Sequence, residues 1–470
     1  MRIKLFCIAL ILFLGQQTTC IAQLRLPSFF SDHMVLQRET PLSVWGWGNA
    51  GSTVKLIGTW FTDTVSTAVN GNGQWKLKLP KGPAGGPHEL QILSNDQSII
   101  LNDILLGDVF LCSGQSNMEW GGNQNLQEIL DELPYANNPN IRLLQMTRYT
   151  DQHPQSQVPD SWAVLSAETL KPFSAIGYFI AKKINQNEGI PIGVINSSWG
   201  GTPAEVWTPA HLIDHDPFLK ERAEMQLENP YRPHQAGVTW NSMIYPLVGY
   251  NLSAVFWYQG ESNVGTWDGY DKLMRTMVSS WRAAWNTDFP FYFVQIAPFQ
   301  YNNEQPLAAL LREQQAKTAS ELSSTNMAVI TDLVDNINDI HPTKKQAVAN
   351  RLADFALVDL YGHEIRDYRS PLYQSHEING HTIEISFMHL DGNLKAEGEI
   401  TDLFIAGTDR EFRPAQGKIK GQKLIVWADD VPQPQAVRFG FTETAMPNLF
   451  NERDLPVSPF RTDHWPLSDD

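Results

Sequence analysis

Cysteine is almost missing from this 470-residue chain: Cys7 and Cys20 fall within the first 22 residues, and only Cys112 lies beyond them. A single thiol forms no internal disulfide, so stability must come from large apolar cores, and Cys112 itself reads as a small buried hydrophobe. Positive charge is short as well, with 35 Lys and Arg against 51 Asp and Glu, a net charge of −16. No basic run offsets it, which excludes nucleic acid and anionic membrane as natural partners. After residue 22 no apolar run is long enough to cross a bilayer, so membrane insertion is not expected. His-Glu-x-x-His and paired cysteines are absent and the 12 histidines are scattered, so the expectation is no metal and no cofactor. There is no internal repeat and no low-complexity tract, and an apolar fraction of 42% with 18% charged residues is that of an ordinary globular protein.

What is present begins at residue 1. Arg2 and Lys4, the apolar stretch Leu5 to Leu14 and the small-residue end Cys20-Ile21-Ala22 have the three-part layout of a secretory signal peptide. The expectation is an exported protein, periplasmic or extracellular, whose mature form is more acidic still. A lipid anchor through Cys20 is the weaker reading, because Gln17 stands where a lipobox takes an aliphatic residue.

Three textures follow. Over residues 23–98 the chain alternates, as in Val44-Trp45-Gly46-Trp47 and Trp75-Lys76-Leu77-Lys78-Leu79, with turn clusters such as Asn70-Gly71-Asn72-Gly73; this predicts a small β-sandwich. Over 99–362, apolar strands alternate with helical patterns. The strands are expected at Ile104–Cys112, Pro191–Ser197, Ser253–Tyr258, Phe291–Ile296 and Ala328–Leu333. The helices are expected around Leu126–Leu133, Tyr270–Trp285, Leu307–Leu322 and Lys344–Leu360. This grammar predicts an α/β fold, a mostly parallel sheet with helices on both faces. After His363 the period of two returns, as in Thr382-Ile383-Glu384-Ile385, and predicts a second β-rich region over 363–470. The 15 tryptophans tilt the reading toward sugar ligands, although most indoles are core.

In a parallel α/β sheet the site gathers at the carboxyl ends of the strands. Those ends carry Gly114-Gln115-Ser116-Asn117, Trp199-Gly200-Gly201-Thr202, Gln259-Gly260-Glu261-Ser262-Asn263 and, past the fifth strand, Asn338-Asp339-Ile340-His341-Pro342. A serine hydroxyl needs a base to take its proton as it attacks, and His341 suits that task. The imidazole needs a carboxylate on its other nitrogen; Asp339, two residues earlier, projects to the same side of an extended loop. An oxyanion needs donors, which the backbone at Ser116, Gly200 and Gly201 and a side-chain amide from Gln259 or Asn263 could supply, with Gln259 favoured for its place nearer the strand end. Arg312, within Leu311-Arg312-Glu313-Gln314-Gln315, is a candidate for contacting substrate or pairing with Glu261, the competing reading being a helix-surface salt bridge.

Taken together, Gly114-Gln115-Ser116-Asn117-Met118, Ser198-Trp199-Gly200-Gly201-Thr202, Trp257-Tyr258-Gln259-Gly260-Glu261-Ser262-Asn263 and Asp339-Ile340-His341-Pro342 resemble the SGNH-hydrolase superfamily and, within it, the sialate O-acetylesterase family. The likeness extends to Phe30-Ser31-Asp32-His33-Met34-Val35-Leu36-Gln37, Phe173 to Phe179, Asn448-Leu449-Phe450-Asn451 and Pro459-Phe460-Arg461-Thr462, nearly the whole chain after residue 22. The resemblance implies an SGNH-type three-layer α/β/α module and a metal-free carbohydrate esterase acting on O-acetylated sugars. It implies Ser116 as nucleophile with the Asp339–His341 pair, and in related esterases the glutamate corresponding to Glu261 takes the orienting role, so both carboxylates stay open. The third block departs from the usual Gly-x-Asn-Asp order, which leaves the side-chain donor open. Two other readings compete with an O-acetyl sialic acid substrate: an esterase of acetylated xylan or another plant glycan, and a non-catalytic carbohydrate-binding protein on a hydrolase core.

Overall fold

The computed structural model describes residues 23–466, so the expected signal peptide lies outside the described residues. Thirteen strands precede the C-terminal region: β1 (Val35–Gln37), β2 (Leu42–Trp47), β3 (Thr53–Gly58), β4 (Val65–Ala68), β5 (Gln74–Leu79), β6 (Gly85–Ser94), β7 (Gln97–Gly114), β8 (Asn138–Gln145), β9 (Ala163–Leu165), β10 (Ile192–Ser198), β11 (Ala254–Tyr258), β12 (Phe291–Val294) and β13 (Thr325–Ala328). The central sheet runs β13-β12-β11-β7-β10-β8-β9, parallel throughout except at β9.

Strand β7 carries most of the organisation. Its first half pairs antiparallel with β6, and its second half pairs parallel with β10 and β11. The expected boundary between residues 98 and 99 therefore falls inside a single strand, and the N-terminal sheet and the central sheet are continuous. The reason is visible in the residues: from Ile104 to Gly114 every side chain is buried, as a strand covered on both faces requires. Val109 and Leu111 join one core, while Phe110 and Cys112 join the other. Burial pushes the Cys112 thiol far up, so this lone cysteine is an inert core residue.

The helices used below are α1 (Ser116–Glu119), α2 (Ala175–Glu188), α3 (Tyr270–Trp285), α4 (Leu307–Glu321) and α5 (Lys345–Asp359). Helices α2 and α5 bury Ile176, Phe179, Leu352 and Phe355 on the Phe110 face. Helices α3 and α4 bury Met274, Trp281 and Leu311 on the opposite face, in a core that also takes in Val44, Leu56 and Trp75 of the N-terminal strands. The result is the three-layer α/β/α arrangement expected from the sequence.

One expectation needs correction. The fifth strand is β13, ending at Ala328, so the text from Val329 to His341 is loop and not a strand through Leu333. Strand β8 and helix α2 were not foreseen. After α5 the chain forms two four-stranded antiparallel sheets and a two-stranded pair. Ile383, Ile385, Leu424 and Val426 of one sheet share a core with Leu403, Ile405, Val437 and Phe439 of the other.

Candidate active site

Three strand ends are laced together around Ser116. The Gln115 N–H donates to Tyr258 O at 3.0 Å, and the Trp199 N–H donates to Gly114 O at 3.0 Å, so β7, β11 and β10 stop at one level. Gly114 sits at φ +132°, and a Cβ there would lie 2.2 Å from Tyr258 O. Only glycine allows β7 and β11 to close at this point. The chain then turns into α1, whose first residue is Ser116.

His341 Nε2 lies 2.9 Å from Ser116 Oγ, within hydrogen-bond reach. Its ring stacks on Trp120, the C-cap residue of α1, with centroids 3.6 Å apart and planes 19° apart. Asp339 Oδ1 lies 3.5 Å from His341 Nδ1, longer than a full hydrogen bond, and also accepts the His341 backbone N–H at 2.9 Å. Asp339 is thus on the correct nitrogen, but it is 53% exposed and its hold on the ring is electrostatic.

Glu261 is placed differently. It is buried, and its Oε1 accepts the Asn117 side-chain N–H at 2.6 Å. The same Asn117 amide donates to Ile340 O at 3.0 Å, while Asn117 Oδ1 accepts from Lys345 Nζ at 2.6 Å. Glu261, Asn117 and Lys345 form a buried chain that grips the backbone beside His341, leaving Asp339 as the carboxylate beside the imidazole. Burial raises the Glu261 carboxyl against the pull of Asn117 and Lys345, and burial pushes Lys345 down to about 7 despite Glu261. Burial and the Lys345 charge together hold His341 down at about 4, Asp339 opposing them.

Gly200 stands against Ser116. A Cβ on it would lie 3.3 Å from Ser116 Cβ and 3.0 Å from Glu119 Oε2. Its N–H donates to Glu119 Oε2 at 2.7 Å, and Arg148 holds Glu119 Oε1 at 2.9 Å, so this amide is spent in fixing the loop. Gly201, at φ +74°, and Ser116 keep backbone N–H groups that donate to none of the described residues.

The side-chain amides expected to complete an oxyanion hole are already committed. Gln259 is fully buried, and its Nε2 donates to Thr202 O at 3.2 Å and Asn263 Oδ1 at 2.7 Å. Asn263 Nδ2 donates to Glu205 Oε2 at 2.9 Å. Buried amides must be satisfied, and here they satisfy one another, tying β11 to the Gly201–Glu205 loop instead of facing Ser116. Arg312 is neither on the surface nor paired with Glu261. It is fully buried, lowered to about 10 by burial, and donates to the carbonyls of Thr442 and Glu443, because the C-terminal region covers α4.

Sequence reasoning passed over Asn117, Glu119, Trp120 and Lys345. Asn117 sat inside the block Gly114 to Met118, and Glu119 and Trp120 follow it directly; a polar residue and an acid flanking a strand-end turn were the available signal. Lys345 had none, since it opens a helix as an ordinary cation.

A family model described as "SASA: Carbohydrate esterase, sialic acid-specific acetylesterase" matches residues 106–357. This chain belongs to that family of carbohydrate esterases. It is a carboxylic ester hydrolase whose substrates are O-acetylated sugars, which removes the non-catalytic reading. Its fold agrees with a carbohydrate acetylesterase from Xanthomonas citri, 34% identical, with a TM-score of 0.87 over 94% of this chain and 100% of the other. The sialate O-acetylesterase of Homo sapiens is 28% identical over 93% of this chain and 92% of its own length. That of Rattus norvegicus is 29% identical over 75% and 77%.

Proposed function

We propose that this esterase is exported and removes O-acetyl groups from sialic acid through an acetyl-serine intermediate. The observation that carries the chemistry is the 2.9 Å approach of His341 Nε2 to Ser116 Oγ, with Asp339 at the other ring nitrogen. Ser116 Oγ attacks the acetyl carbonyl carbon and its proton passes to His341 Nε2. The oxyanion is received by the N–H groups of Ser116 and Gly201, which Glu119 steadies through Gly200. The sugar C–O oxygen leaves with the proton from His341. Water, deprotonated by the same nitrogen, then attacks the acetyl-serine, and acetate departs with Ser116 restored. Export rests on the charged, apolar and small-residue pattern of residues 1 to 22. No described helix is long and apolar enough to cross a membrane.

Sialic acid as the sugar is supported by the mammalian relatives' names. A second reading, an acetylated plant glycan, is favoured by one fact: the more similar bacterial relative is described only as a carbohydrate acetylesterase. Side-by-side hydrolysis of 9-O-acetyl sialic acid and acetylated xylan decides between them. A higher kcat/KM on the sialate is expected, and preference for xylan would overturn the assignment.

Acid behaviour follows from His341. The base works when neutral, so kcat/KM on an acetyl ester is expected to hold down to pH about 5 and to fall with an apparent pKa of about 4, below the 6.5 of an ordinary histidine. A pH–rate profile with its acid limb near 6.5 would contradict this. The linkage has the same sign. An unfolded His341 binds its proton below about 6.5 while the folded one waits until about 4, so its contribution to stability is complete above 6.5 and is lost as pH falls across that window.

A further inference from the structure

The described surface carries a second aromatic site far from Ser116. In β2 the inward positions Leu42 and Val44 are buried, as alternation requires, but the outward positions beyond Ser43 are Trp45 and Trp47, both only half-buried. Across the antiparallel ribbon their partners are Lys76 and Gln74 of β5. Facing this ribbon, Tyr245 (41% exposed) and Gln155 come from the catalytic region, and together they bound a groove of about 540 Å³. That volume is in the range of small-ligand sites. The groove also takes in Val248, a few residues before the start of β11, and so lies toward the amino-terminal edge of the sheet, whereas Ser116 follows its carboxyl edge.

The lining has the chemistry of sugar recognition. Flat indole and phenol faces suit the apolar C–H faces of a pyranose, and the Gln74 and Gln155 amides can meet its hydroxyls. Charge adds a choice. Lys76 Nζ, the one cation of the lining, stands 5.6 Å from the Trp45 ring, and the Arg25 guanidinium, just outside the lining, lies 4.8 Å from the Trp47 ring. Among the described residues neither cation forms a salt bridge, and no carboxylate lines the groove. In a chain of net charge −16, an unpaired cationic and aromatic groove calls for an anionic partner.

We propose that this groove is a second carbohydrate-binding site for an acidic glycan chain, separate from the site of hydrolysis. The ligand class, a sugar, rests on the chain's being a carbohydrate esterase. At about 3.3 Å per residue, strands of the central sheet separate the two sites by roughly 15 to 25 Å. A single acetylated monosaccharide cannot reach both, but an extended glycan can. The groove therefore raises turnover on long substrates and leaves small esters untouched.

The test uses the mature protein with Ser116→Ala to prevent turnover, titrated with an oligosialic acid and, as the neutral arm, a xylo-oligosaccharide of matching length. Saturable binding of the oligosialic acid is expected, weakened about tenfold or more by Trp47→Ala and, independently, by Tyr245→Ala, which removes an exposed ring and should leave the fold intact. With Ser116 restored, both variants should keep the wild-type kcat/KM on 4-nitrophenyl acetate, which reads the esterase separately from the groove. Absence of oligosialic acid binding, unchanged affinity in both variants, a preference for the neutral arm, or a change of oligomeric state without glycan binding would each overturn the proposal.

Discussion

Replacing Ser116 with alanine should lower kcat/KM on an acetyl ester by about 10⁴-fold or more while leaving the melting temperature within a degree or two. The size follows from the covalent route: without Oγ there is no acceptor for the acetyl group, and what remains is binding and oxyanion stabilisation alone. The small effect on stability follows from the site. Among the described residues the hydroxyl meets only His341 Nε2, and it is not fully buried, so the substitution leaves no orphaned core group. Parallel loss of stability would mean that Ser116 supports the turn between β7 and α1 and that the lost activity is indirect.

The second expected result separates the two carboxylates. Asp339→Asn should reduce kcat/KM by about 10- to 100-fold, less than removal of a buried orienting aspartate does, because the Asp339 side chain is more than half exposed and 3.5 Å from the ring. The melting temperature should hardly move, since an asparagine oxygen can still accept the His341 backbone N–H. Glu261→Ala should do something else. It strips a buried partner from Asn117 and a counter-charge from Lys345, at a cost of about 3 kcal/mol. Activity then falls with the fold, because the Asn117 grip on Ile340 O loosens the His341 loop. If Asp339→Asn is silent and Glu261→Ala abolishes activity at unchanged stability, the roles are reversed.

Legibility in the sequence followed the strength of local pattern. The period of 3.6 in Tyr270–Trp285 matched the observed helix end for end, because its apolar stripe is unbroken. Helix α2 was missed although Ser174 caps it and Gly189, at φ +66°, ends it. Its apolar residues run all round over 175–181, where it is buried against the sheet and α5, and turn largely polar after Ala181, so no stripe marks it. The fifth strand was drawn too far because Val329 and Ile330 are as apolar as Met327 and equally buried, but in loop. At the site, Ser116 was legible because it stands just past the end of β7, and His341 because the Asp339-Ile340-His341 spacing marks it within the loop after β13. The fate of Gln259 and Asn263 was not. That both buried amides are consumed by neighbours depends on Thr202 and Glu205, nearly sixty residues away.

The central claim is that an acetyl group passes through Ser116. The measurement that tests it most directly is rapid acid quench during turnover of an acetyl ester, followed by mass analysis of the peptide carrying Ser116. The account predicts a mass gain of one acetyl group on Ser116 in the wild type and none in Ser116→Ala; hydrolysis by wild type with Ser116 unmodified at every quench time, or by Ser116→Ala at an undiminished rate, would contradict it.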